Sequence, residues 1–182
     1  MFADTLSPYG GLLMFRAFVY NLVDYSDWTA DRAKAAQELV GIYNGQYRDN
    51  VVIQAKYGPI DFQVREPAQP IFANLNMTNS AMELEVAQEY LGQQDHVVYL
   101  PPLWQTIFTF DMRVDNKTSL VRDLYTGKTF NRPLGGSAAV VNVGLNQTWL
   151  GSHMAMSNLY AYGRLAWDPT RDSVSAIMRK LS

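Results

Sequence analysis

Hydrophobic and polar positions along the chain fall into two alternating patterns, short apolar runs of strand length and longer stretches with helical spacing. Leu12 to Tyr20 is the first apolar run, interrupted only by Arg16. Its two apolar faces predict a strand buried between helices in a parallel sheet. Val51 to Lys56 predicts a second strand, bounded by Asp49-Asn50 before it and Gly58-Pro59 after it. Met82-Glu83-Leu84-Glu85-Val86 alternates apolar and acidic residues and predicts a third. Ala138 to Gly144 predicts a fourth. Helical spacing lies between and after these runs. Ala30, Ala33, Ala36 and Val40 predict a helix that stops near Gly41. Leu103 to Phe110 predicts another, opened by Pro101-Pro102, with Trp104, Ile107 and Phe108 on its buried stripe. Ser152 to Trp167 predicts a helix with Met156, Leu159, Tyr160 and Gly163 on its packed side, and Arg171 to Leu181 begins a further one. Asn116 to Pro133 is polar and irregular, and reads as a surface excursion.

Strands alternating with helices define an α/β class. About four βα units fit in 182 residues, whereas a complete (β/α)8 TIM barrel takes about 250 residues. The chain therefore reads as a partial barrel, a piece of a longer protein. No internal linker breaks residues 1–170, which form one expected unit, and 171–182 start a second, helical one.

Charge and composition narrow the function. Fifteen basic and seventeen acidic residues are scattered without a basic run, which argues against a nucleic-acid partner. No apolar stretch is long enough to span a bilayer, so no membrane partner is expected. The chain has no cysteine, which excludes disulfides and thiolate metal sites. His96 and His153 have no ligand-spaced companions, so neither a metal nor another cofactor is expected. Sequons at Asn76, Asn116 and Asn146 favour a secreted parent protein.

The chemistry concentrates at strand exits. Lys56 closes the second strand, and Asp61 follows just beyond the Gly58-Pro59 turn. Glu89 follows the third strand, ahead of Gly92-Gln93-Gln94. Carboxylates leaving two strands on the same side are what an active site at the C-terminal mouth of a barrel requires. Simpler roles stay open beside this one. Asp61 could cap its turn, and Glu89 could be a solvated helix acid. Lys56 could pair with Glu66, and the fork of Arg16 suits a substrate carboxylate or a neighbouring acid equally well.

Four longer motifs, GGLLMFRAFVY, KYGPIDFQVREP, AQEYLGQQ and NLYAYGRLAWDP, resemble the α-glucuronidases of glycoside hydrolase family 67. The resemblance runs from about Gly10 to Pro169. It implies the C-terminal half of the catalytic barrel. It also implies inverting hydrolysis of α-1,2-linked 4-O-methyl-glucuronic acid from glucuronoxylan-derived oligosaccharides. By motif, Asp61 and Glu89 take the water-activating role, while Lys56 and Arg16 take the uronate carboxylate. Inverting enzymes set their two carboxyl functions ~6.5–9.5 Å apart to leave room for that water. The family's proton-donating Glu belongs to an earlier strand and has no match in these residues, so this stretch by itself is expected to be inactive. A homodimeric parent is left open. The rival expectation is a protein that binds acidic sugars without cleaving them, its open sheet edge paired with a second copy.

Overall fold

The computed structural model describes residues 1–17, 32–57, 67–86, 98–141, 154–171 and 173–180. In chain order the elements are α1 (Phe2–Leu6), β1 (Leu13–Arg16), α2 (Arg32–Leu39), β2 (Val51–Lys56), α3 (Ile71–Asn74) and β3 (Asn79–Glu85). They continue with α4 (Pro101–Thr109), α5 (Val121–Tyr125), β4 (Gly136–Val140), α6 (Met156–Trp167) and α7 (Val174–Arg179). The strands form one four-stranded sheet in the order β1-β2-β3-β4. β1 and β2 pair in parallel with Leu13 beside Val51, and β2 and β3 pair in parallel with Val52 beside Asn79. Parallel neighbours need a crossover rather than a hairpin, and α2 and α3 lie in the first two crossovers. This is a mixed α/β architecture, compatible with part of a barrel.

The chain divides into two compact units, one of Met1–Glu83 with Asp111–Ala138 and one of Leu84–Phe110 with Ala139–Ser182. In the first, β2 is buried along nearly its whole length, with Ile53 and Ala55 fully enclosed. Ile71, Phe72 and Leu75 of the α3 turn are equally enclosed, and α3 packs against both α2 and α5. β1 departs from its expected burial: Met14, Phe15 and Arg16 are exposed. The strand is shorter than predicted, its residues 18–20 lying outside those described, and it sits at the sheet edge with β2 on one side only. Apolar side chains on a strand are buried only where neighbouring layers cover them.

The surface excursion expected over Asn116–Pro133 is a second correction. Val121, Leu124 and Tyr125 form the buried stripe of α5, and Ser119 is buried just before it. The stripe occupies a single i, i+3, i+4 set, too short for periodicity to stand out from its polar flanks. The surrounding turn closes on itself. Asp111 Oδ1 accepts the backbone N–H groups of Arg113 (3.0 Å) and Ser119 (2.8 Å). Arg132 N–H donates to the Gly127 carbonyl at 2.8 Å. Gly127 has φ +78°, and a Cβ there would lie 2.0 Å from the Arg132 carbonyl oxygen, so only glycine fits.

In the second unit α4 follows expectation. Pro101 opens it, and Trp104, Ile107 and Phe108 are buried. Its partners α6 and α7 pack on it and on each other, with Trp104 and Tyr162 edge to face at 5.5 Å. The packed side of α6 is displaced from the predicted one. Asn158, Ala161 and Leu165 are buried, whereas Tyr160 and Gly163 are exposed. The displacement has a polar cause. Asn158 accepts the Leu100 N–H at 2.9 Å and donates to the Val98 carbonyl at 2.6 Å, satisfying backbone at the start of α4. An asparagine that meets backbone on both sides can be buried, and hydrophobicity alone assigns it outward.

Candidate substrate site

In a parallel sheet the carboxyl ends of the strands share one edge, where ligands of open α/β sheets bind. Here β1 ends at Arg16 and β2 at Lys56, and β3 carries Glu83 two residues before its last. Arg16 lies beside Gln54 in the register, and Lys56 beside Glu83. Side chains alternate faces along a strand, so Arg16, Gln54, Lys56 and Glu83 all stand on the same face. They form one cluster. Arg16 grips Glu83 with both arms of its fork, Nε to Oε2 at 2.7 Å and Nη2 to Oε1 at 2.5 Å. Gln54 Nε2 donates to Oε2 at 2.6 Å.

Burial differs sharply across the cluster. Glu83 is 1% exposed and Lys56 6%, while the Arg16 side chain is 49% exposed. Burial alone would raise the Glu83 carboxyl. The hydrogen bonds from Arg16 and Gln54, together with the charges of Arg16 and Lys56, outweigh it and hold the group below its ordinary value. Glu83 is thus an ionised, buried acid between two cations.

Beside the cluster the same face opens into a cleft of about 250 Å³ bounded by Met14, Val52, Gln54, Ala81, the Pro133–Gly135 turn and the start of β4. Asn79 ties that turn down by accepting the Leu134 N–H at 3.2 Å. Gly135 makes the close approach possible, since a Cβ there would lie 2.3 Å from the Tyr125 carbonyl oxygen and 2.8 Å from that of Ser80.

Of the four residues expected to form the site, Arg16 and Lys56 meet around Glu83. Asp61 and Glu89 lie outside the described residues. The described residues that flank the Asp61 segment, Tyr57 and Gln69, are joined by a backbone hydrogen bond of 2.5 Å. Tyr57 N–H in turn donates to the Glu83 carbonyl at 3.0 Å. Glu83 and Gln54 were not among the expected site residues. The available signal was an acid alternating with Met82 and Leu84 on a strand covered on both faces, since a buried carboxylate demands a cation. Among the described residues no group of three His, Cys, Asp or Glu side chains could hold a metal ion, and no helix is long and apolar enough to cross a membrane.

A parallel sheet with a charged cluster towards its carboxyl ends and a cleft beside that cluster places the chain among α/β proteins. The chain matches the glycosyl hydrolase family 67 middle domain over residues 1–149 and the family 67 C-terminus over residues 150–180. It belongs to glycosyl hydrolase family 67. It is 68% identical over 174 residues to alpha-glucuronidase A of Aspergillus tubingensis, covering 95% of this chain and 21% of that protein. Identity to a probable alpha-glucuronidase A of Aspergillus niger is also 68%, and to one of Neosartorya fischeri 67%, with the same coverage. The chain spans about a fifth of the length of these curated relatives.

Proposed function

We propose that this chain is part of an α-glucuronidase that removes α-1,2-linked 4-O-methyl-glucuronic acid from glucuronoxylan-derived oligosaccharides with inversion. Its sheet is four strands of a (β/α)8 barrel, and its parent is a secreted, xylan-degrading enzyme. One observation carries the reading: two cations from adjacent strands, Arg16 and Lys56, share one face of the sheet near its carboxyl ends, with Glu83 beside them. A uronic acid differs from a neutral sugar by one carboxylate, which such a site can hold by charge-assisted hydrogen bonds. In this reading Lys56 and Arg16 bind the uronate. Asp61 and Glu89 act on the opposite side of the reaction, one accepting a proton from the attacking water and the other orienting it. The proton donor belongs to an earlier strand, so these 182 residues alone release no sugar.

The test is a chimera in which this chain replaces the matching stretch of the Aspergillus tubingensis enzyme. The chimera should release 4-O-methyl-glucuronate from aldouronic acids. Asp61→Ala or Glu89→Ala should lower kcat about 10²–10⁴-fold, the usual contribution of a general base. Lys56→Ala should act mainly on KM, by about 1.5–3 kcal/mol of lost charged hydrogen bonding. Full activity in the Asp61 and Glu89 variants would refute the assignment. A second reading, binding of acidic sugars by a self-associating chain, is favoured by the exposed edge strand β1.

A further inference from the structure

We propose that Glu83 is a positioning residue for uronate recognition, aiming the Arg16 guanidinium at the substrate carboxylate. The inference rests on the α-glucuronidase reading and assigns that site a residue it did not contain.

Three features support it. First, Glu83 is almost fully enclosed while Arg16 is half exposed. The acid is therefore the fixed member, and the arginine reaches from the edge strand to meet it. An arginine side chain carries about 2 kcal/mol of rotamer entropy, and a two-point grip removes much of that freedom before substrate arrives. Preorganisation of this kind improves binding without adding a contact. Second, Gln54 donates to the oxygen that also receives Arg16 Nε. The carboxylate is thus held from β1 and β2 at once, so its own rotamer is set. Third, Lys56 is the register neighbour of Glu83 and is itself buried. Two buried or half-buried cations on adjacent strands would repel each other, and the acid between them relieves that repulsion. A neutral sugar offers the Arg16 guanidinium no carboxylate, whereas a uronate does.

Glu83→Gln is the informative change. The amide keeps the shape, but its NH2 end confronts an N–H of Arg16 where an oxygen accepted it before. In the chimera, KM for an aldouronic acid should rise roughly 10- to 100-fold, the equivalent of one or two charged hydrogen bonds. The decisive readout is selectivity. It is the ratio of kcat/KM for the aldouronic acid to that for the same oligosaccharide with its uronic carboxyl reduced to a neutral glucoside. That ratio should fall at least about tenfold. Loss through general misfolding would depress both substrates together and leave the ratio unmoved, which would overturn the inference. A ratio that rises would overturn it too, by showing that Glu83 competes with substrate for Arg16. Should Glu83→Gln fail to fold, Gln54→Leu loosens the carboxylate while keeping its charge. It should lower the same ratio by a smaller factor, and an unchanged ratio would count against the proposal. If the unsubstituted chimera releases no uronic acid, the functional reading falls and this inference with it. An active chimera whose ratio ignores Glu83 removes only the inference.

Discussion

Asn158 and Glu83 are both polar, both almost fully enclosed, and both kept there by partners rather than by hydrophobicity. Asn158 spends its carboxamide on the backbone of Val98 and Leu100. Asn158→Ala takes the acceptor from the buried Leu100 N–H and a donor from the Val98 carbonyl, and should cost about 1–3 kcal/mol of stability, read as a shift in the urea midpoint. Glu83 adds a dependence on pH. Its folded pKa lies below the ordinary value of 4.5, so its ionised form stabilises the fold above that value. The stabilisation is lost as the pH falls through the lowered pKa. Urea midpoints taken from about pH 6 down to about pH 3 should decline accordingly. Asp4, Asp111 and Asp168 are also lowered, so the wild-type curve alone is not diagnostic. The difference between the native chain and Glu83→Gln isolates the acid, and that difference should shrink towards the acid end. A difference that stays constant with pH would show that Glu83 contributes no charged interaction to the fold.

At the scale of elements, the contrast between α4 and α5 is instructive. α4 is long enough for Trp104, Ile107 and Phe108 to announce a buried stripe, and the stripe is where the spacing puts it. α5 is five residues long and buries Val121, Leu124 and Tyr125 within a polar stretch. Its packing role is testable. Leu124→Ala should destabilise the chain by about 2–5 kcal/mol, as expected of a fully enclosed leucine, whereas Leu103→Ala on the exposed side of α4 should cost less than about 0.5 kcal/mol. Equal effects at the two sites would return residues 116–133 to the surface excursion their polarity suggested. β1 makes the converse point. Its sequence is as apolar as that of β2, yet it is exposed, because sheet position rather than composition decides what covers a strand.

For the molecule as a whole, an exposed parallel edge carrying Met14 and Phe15 is a template for further pairing. If the chain works only within a longer barrel, sizing chromatography of these 182 residues should show aggregates or a poorly cooperative species. A discrete dimer with a sharp unfolding transition would favour the self-associating reading instead. Local patterns in the amino-acid order were enough for the α/β class, for most strands and helices, for the family motifs, and for Arg16 and Lys56 as unusual cations. Those patterns are local because strand and helix periods extend over only a few residues. The grip of Arg16 on Glu83 joins residues 67 positions apart, and nothing in either neighbourhood specifies it. Parallel crossovers and strand register bring the two together, and only that pairing decides which face Glu83 shares and why it stays ionised.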